Sequence, residues 1–341
     1  MTEASSNRPY LSVVVAVRND NYGGDFNKRL QNFINWNTAL FEKYKINTEI
    51  LLVNWNPIPT NQPLTEMVTW PKNREYVRYK IVEVPNATHD SFIDDKVRKT
   101  VPVIEFIAKN VGIKRANGQF ILCTNADILL SEKVVREISE NKLDTEKLYR
   151  SVRMDFVAPS SLKLTEASIS ANITSAFLRT GSVKMTGSVS FSKALFLAKS
   201  VDNCRKWFIT IWLKIVARYD FHVERIFLFE FLFNASGDFA LLSKAKWHTG
   251  CHYHEDMWIS THTDSMHILT CLSQAIDVVE MEGFVFHQEH SRRYDFSSSN
   301  PDMDYMFERL LAETRGLFKG NFNPPDKNWG LNELTLESQE F

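Results

Sequence analysis

The sequence predicts an α/β fold, a largely parallel sheet with helices on its faces. Three observations carry that prediction. Short, nearly continuous apolar runs rich in β-branched residues recur at Leu11–Val17 (LSVVVAV), 49–53 (EILLV) and 120–123 (FILC), as in strands covered on both faces. Between them lie stretches whose apolar residues recur at helical spacing. Each run ends in a polar turn, RNDNYGGD at 18–25, NWNP at 54–57 and NAD at 125–127, where α/β proteins place their ligands.

Taken in order, the first strand at 11–17 leads through the Gly-containing loop to a helix at 27–44, with Leu30, Phe33, Ile34, Asn37 and Phe41 near one face. Strands follow at 49–53 and at 78–84 (RYKIVEV). A helix over 101–116 ends at the turn signal Asn117-Gly118 and feeds a strand at 119–124. Ser131 suits an N-cap for the next helix. Residues 148–156 (LYRSVRMDF) alternate and suit an added strand. The series β-α-β with turns after the strands reads as a Rossmann-like mixed sheet with flanking helices.

The character changes over 159–233, expected to be a helical insertion. It opens Ser/Thr-rich and then becomes dense in aromatic and aliphatic residues with interspersed Lys and Arg. Residues 207–233 admit two readings, core helices of a subdomain or an amphipathic surface touching a membrane or a lipid-linked substrate. Residues 234–242 read as a polar loop entering a strand or helix, 264–275 as a helix, and 283–286 as a last strand closing in His287-Gln288-Glu289-His290. A linker at 297–302 and a turn-rich tail after 319, lying over the surface, complete the chain. The expected organisation is a nucleotide-sugar-binding half at 1–158, the insertion at 159–233, an acceptor-binding and catalytic half at 234–295, and a C-terminal segment at 296–341.

The 341 residues are 44% hydrophobic, enough for a sizeable core, and the net charge of −1 argues against nucleic-acid binding. Cysteines 123, 204, 251 and 271 form no CxxC pair and suit free thiols in a reducing, cytoplasmic compartment. No signal peptide is expected from the polar start, and no run reaches the roughly 18 apolar residues of a membrane span. GxGxxG after the first strand, GxxxxGK[ST] and GxSxG are all missing, which speaks against dinucleotide, P-loop and serine-hydrolase chemistry.

Four groups of residues suit chemistry. Asp127, with Asn125, follows a central strand, and His287 and His290 follow a late one. Together they suit a divalent cation whose other positions go to diphosphate oxygens, and imidazole tilts the choice to Mn²⁺ over Mg²⁺. The alternative is a turn carboxylate and surface histidines. Asp264, at a helix start, suits either a general base or a plain N-cap, with Glu255 and Asp256 as rival bases. Asp238, in Ser236-Gly237-Asp238, suits sugar hydroxyls or a simple β-turn. Arg18, Asn19 and Asp20, with Lys109 and Asn110, suit a nucleotide on the carboxyl edge of the sheet, and Lys109, Arg115, Arg150 and Arg153 suit its diphosphate. The histidines at 248, 252, 254, 262 and 267 show no regular ligand spacing.

The motifs SVVVAVRND and AKNVGIKRANGQFILCTNADILLS resemble those of GT-A-fold, family-2-like glycosyltransferases, the second matching an ARN-x-G-x-x-x-A-x-G helix and turn followed by the DxD-bearing strand. A subgroup with RND…GG, VxWNP, LYR…RxD, NASGDF, a DS-containing helix and a closing HxxH is more similar still, over residues 11–330. The resemblance implies a GT-A, doubly wound mixed sheet, a nucleotide-sugar donor (a UDP- or GDP-sugar), a hydroxyl acceptor on a glycan or lipid-linked substrate, and a divalent cation. It carries the metal role to Asp127, places His287-x-x-His290 where a late pair completes the metal site, and points to Asp264 as the base of an inverting transfer. Two positions depart from the pattern. Asn125 replaces the first Asp of DxD, and Asn54 stands where relatives carry an acidic residue that reads the base or ribose. The rival readings are a non-catalytic carbohydrate-binding protein and a sugar-phosphate nucleotidylyltransferase.

Overall fold

The computed structural model describes residues 8–92, 101–159, 164–178, 181–185, 191–216, 236–256, 260–291 and 301–341. Their strands, numbered along the chain, are β1 (Leu11–Val17), β2 (Thr48–Trp55), β3 (Val77–Val84), β4 (Phe120–Thr124), β5 (Ile128–Leu130), β6 (Lys147–Phe156), β7 (Ile173–Leu178), β8 (Gly181–Lys184), β9 (Ala240–Ser243), β10 (Asp277–Gln288) and β11 (Ser338–Glu340). The longer helices are α1 (Phe26–Lys43), α2 (Glu105–Arg115), α3 (Glu132–Ser139), α4 (Phe191–Val216), α5 (Thr263–Ser273) and α6 (Pro301–Phe318). The main sheet runs β11-β3-β2-β1-β4-β9-β6-β10-β5, with the β7–β8 hairpin attached to β6. This is the mixed, Rossmann-like α/β architecture that the sequence predicts.

Strands β3, β2, β1 and β4 are mutually parallel, so their carboxyl ends share one edge. Strand β9 runs antiparallel to β4, β10 runs parallel to β6, and β5 returns antiparallel to β10. Alternate residues of β1 feed two cores, which explains its nearly continuous apolar run. Val13, Val15 and Val17 pack with Phe33, Ile34 and Phe41 of α1. Val14 packs on the other face with Ile107 and Val111 of α2. Gly112 lets α2 come close to the sheet, since a Cβ there would lie 2.4 Å from Val14 Cγ1.

Several boundaries differ from expectation. Helix α2 starts at Glu105 rather than 101, because Pro102 disfavours helical backbone at Val101 and its carbonyl accepts from Asn56 Nδ2 at 3.1 Å. The described part of the expected helical insertion opens with a short helix, Glu166–Ser170, and then forms the β7–β8 hairpin, whose Thr- and Ile-containing sequence suits an added strand on β6. Residues 207–216 belong to α4, and Trp207, Phe208 and Trp212 are exposed rather than in a core. Residues 217–233 and 297–300 lie outside the described residues. Pro301 and Asp302, expected in a linker, open α6, and Pro at a helix start is favoured because its missing N–H has no partner there to lose. The tail adds β11 to the edge of β3 instead of only lying over the surface. Among the described residues no helix is long and apolar enough to cross a membrane.

Candidate metal centre

Strand pairing brings Asp127 to the two histidines. The Asn125-Ala126-Asp127 turn joins β4 to β5, and β5 pairs with β10 so that Ile128 faces His287. The Gln288 amide donates to the Asp127 carbonyl at 3.1 Å. The Gln288 side chain, held by Asn32 at 2.7 Å, donates to the Arg29 carbonyl at 3.1 Å. Asp127 and the close of β10 are therefore fixed against each other by backbone and by a buried amide.

Ligand atoms of Asp127, His287 and His290 lie within 4.8 Å of one another, the one such cluster of His, Cys, Asp and Glu among the described residues. Nε2 of His290 is 3.0 Å and Nε2 of His287 is 3.8 Å from Asp127 Oδ2. The opposite nitrogens are engaged, His287 Nδ1 with Asp155 Oδ1 and His290 Nδ1 with the Ser291 carbonyl, each at 2.9 Å. Both partners only accept, so each Nδ1 carries the hydrogen, and a neutral ring then turns the Nε2 lone pair toward Asp127. In that neutral form two lone pairs and a carboxylate face one another, an arrangement that a cation between them would satisfy. Asp127 Oδ1 is buried and has no hydrogen-bond partner. This donor set, one carboxylate and two imidazoles each backed by an acceptor, fits a divalent ion of the Mn²⁺ type. Burial alone would raise the Asp127 carboxyl, but without a cation the positive charge of His287 and His290 in their protonated form, with that of Arg29, outweighs burial and holds it at about 2.

A buried polar relay extends from this cluster across the sheet. Asp155 takes the Nδ1–H of His287, accepts from Ser175 Oγ at 2.8 Å, and pairs with Arg153 Nε at 2.9 Å. Arg153 also reaches Asp238 Oδ2 at 2.9 Å and lies over the Phe177 ring. Asp238 Oδ1 accepts from Asn125 Nδ2 at 2.9 Å. The chain of contacts thus steps from β4 through β9, β6 and β10 to the start of β5. The Asp155 carboxyl would be raised by burial, but His287 and Arg153 bring it below its ordinary value.

The RND loop lies over this centre. Gly23 has φ +67°, and a Cβ there would sit 2.5 Å from His290 Nδ1 and 2.8 Å from the Ser291 carbonyl. The Tyr22 ring meets His290 edge-on with centroids 5.1 Å apart. Arg29 donates to the carbonyls of Tyr22 and Gly24, tying the loop to α1. Arg18 donates to the Asn56 carbonyl at 2.6 Å, and Asn19 braces the 56–62 segment through Ile58 and Gln62. Asp20 accepts from the Tyr22 amide. Asn54, at the end of β2, donates to Glu83 on β3, and its own Oδ1 has no hydrogen-bond partner. Burial raises the Glu83 carboxyl even though Asn54 lowers it.

Asp264 lies in the first turn of α5, where His262 rather than Asp264 is the N-cap. Its Oδ2 accepts from the Gly237 amide at 3.0 Å and its Oδ1 from the Ser265 amide at 2.8 Å. Burial raises its pKa, with Asp238 adding to the effect against His262 and the two amides. Lys109 is fully buried, paired with Glu105 at 2.7 Å, and donates to the Gly237 carbonyl at 3.0 Å. Asn110 bonds Tyr253 and Glu255. Arg115 donates to the carbonyls of Gly330, Leu331 and Leu334. Glu255 accepts from the Gly330 amide, and Asp256 pairs with Arg309 of α6. Lys109, Asn110 and Arg115 therefore spend their polar groups on internal contacts. His252 and His267 stack on Trp329 and Trp247 in aromatic packing.

Asp155, Arg29 and Gly23 complete the centre without having been singled out as site residues. The spacing of Arg153 and Asp155 puts both on one face of a strand, a signal that could have pointed to Asp155. No protein-family profile and no curated protein matches the chain. Crystal structures of S. aureus TarS residues 1–349 are similar to it. One shares 13% identity with a TM-score of 0.41, covering 90% of this chain and 65% of that chain. A second, in complex with UDP-GlcNAc, shares 10% identity with a TM-score of 0.39, covering 91% of this chain and 71% of that chain. At these values the functional reading rests on the site's own chemistry.

Proposed function

We propose that the chain is a metal-dependent glycosyltransferase that moves a sugar from a UDP- or GDP-sugar to a hydroxyl of a glycan or lipid-linked acceptor by a single inverting displacement. One observation carries this reading, the convergence of the ligand atoms of His287, His290 and Asp127, with Asp127 Oδ1 buried and unpartnered. Asp127, His287 and His290 would hold Mn²⁺ or Mg²⁺, whose charge would offset that of the departing nucleoside diphosphate. Asp155 keeps the His287 ring turned so that Nε2 faces inward. In this reading Arg18, Asn19, Asp20 and Asn54 form the nucleotide edge, and Asn125 and Asp238 meet sugar hydroxyls. Lys109 and Asn110 act indirectly, steadying the Gly237 turn and the 253–255 segment.

Asp264 takes the proton of the acceptor hydroxyl. The acceptor oxygen bonds to the anomeric carbon as the bond from that carbon to the diphosphate breaks, and the nucleoside diphosphate leaves. A raised carboxyl pKa suits this task, since it makes a stronger base. One base suffices for one displacement. Asn125, in place of an acidic residue, favours a second reading, sugar binding without transfer.

A thermal-shift panel of nucleoside diphosphates and nucleotide sugars, with and without Mn²⁺, tests the proposal. A Mn²⁺-dependent rise in melting temperature is expected for one nucleotide class, by mass action, and should vanish in Asp127→Ala. If Asp127→Ala keeps that response, the metal assignment fails. With the matching donor and acceptor, Asp264→Asn should lose transfer by about a hundredfold or more while binding nucleotide normally. Near-full transfer by Asp264→Asn would move the base elsewhere, and donor binding with no transfer by the unaltered protein would select the second reading.

A further inference from the structure

Helix α4 presents the largest exposed apolar side chains of the described residues. It has 26 residues, about 39 Å at the usual rise. Phe196 is 70% exposed, Trp207 61%, Phe208 65% and Trp212 58%, and Leu197 and Ile215 are exposed beside them. At 100° per residue these six fall within an arc of about 160°. The other side carries Asp202, which is buried, and Lys199, whose ammonium lies 3.8 Å from Glu280 on β10, so that side faces the protein. Soluble monomers rarely expose a contiguous apolar patch of this extent without a partner for it.

We propose that this face of α4 lies flat on an anionic lipid bilayer. The helix carries five basic residues, Lys193, Lys199, Arg205, Lys206 and Lys214, against the single acidic Asp202, in a chain whose net charge is −1. A Trp- and Phe-rich face accompanied by Lys and Arg is the composition of a helix that sinks its apolar side to the level of the headgroups. The same residues are unsuited to pairing with a second copy, because a two-fold contact would set one basic helix against another. They are also unsuited to spanning, since the charged residues interrupt every long apolar stretch. This binding is independent of sugar transfer, and it would set the candidate centre at a membrane surface.

The test is flotation of the full chain with vesicles of phosphatidylcholine alone or mixed with phosphatidylglycerol. The chain should float with the anionic vesicles, less with neutral ones, and less again as salt rises. Trp207→Glu with Trp212→Glu should bind anionic vesicles at least about tenfold more weakly, as expected when two large apolar side chains no longer enter the interface. Circular dichroism confirms that this variant folds. If it does not, Arg205→Glu with Lys206→Glu should remove the preference for anionic over neutral vesicles. Failure of the unaltered chain to float, equal flotation with both vesicle types, or variants that float like the unaltered chain would each overturn the proposal. So would a dimer, seen by light scattering, that the tryptophan variant dissolves and that ignores vesicles.

Discussion

Two residues outside the three proposed ligands decide whether the centre keeps its shape. Gly23 is the sharper case, because its positive φ and the 2.5 Å approach to His290 Nδ1 leave no room for a Cβ. Gly23→Ala should push the loop or the ring aside and weaken Mn²⁺ binding by about tenfold, with a stability loss of about 1–2 kcal/mol. Isothermal titration with Mn²⁺ and urea denaturation read the two effects separately. Asp155→Asn keeps the size of the side chain but gives up the charge that holds the His287 Nδ1–H. Its Mn²⁺ affinity should fall by about 10- to 100-fold, as for other acceptors behind metal-bound imidazoles. An unchanged affinity would mean that Asp155 only balances the charge of Arg153.

The segment around His252 and helix α5 forms the element with the clearest response to pH. Burial pushes His252 down to about 4 and His267 to about 3, from 6.5 in an unfolded chain, and lowers His254 as well. Above pH 6.5 both folded and unfolded chains hold these rings neutral, so their contribution to stability is fully present. Below it the unfolded chain takes up protons that the folded one refuses, and stability falls as pH drops from about 6.5 toward 3. The urea midpoint should therefore decrease between pH 7.5 and 5. In His267→Phe, which can still stack on Trp247, the decrease should be shallower. Here the sequence was only partly legible. The irregular spacing of these histidines argued against a second metal, but nothing local showed that Trp247 and Trp329, far along the chain from the rings of His267 and His252 that they meet, would supply the stacking surfaces.

At the scale of the whole molecule, most of the sheet was legible because buried parallel strands leave nearly continuous apolar runs rich in β-branched residues, as in Leu11–Val17. Strand β11 was not, because Ser338–Glu340 is exposed and its pairing with β3 depends on contacts far away in sequence. Phe341 then packs against Trp70 and Tyr79 with ring centroids 4.7 and 5.8 Å away. Phe341→Ala should lower stability by about 1–2 kcal/mol, read as a shift of the thermal midpoint. The proposed metal ligands were legible from their positions after strands. The spacing of Arg153 and Asp155 showed only that they share a strand face; the role of Asp155 behind His287 was not legible, because strand order alone decides that β6 lies beside β10. The central claim is that Asp127, His287 and His290 together hold a divalent cation, and electron paramagnetic resonance titration of Mn²⁺ tests it most directly. The unaltered protein should bind one Mn²⁺ per chain, and Asp127→Ala should leave the ion free at the same concentrations. Equal Mn²⁺ binding by both proteins would contradict the account.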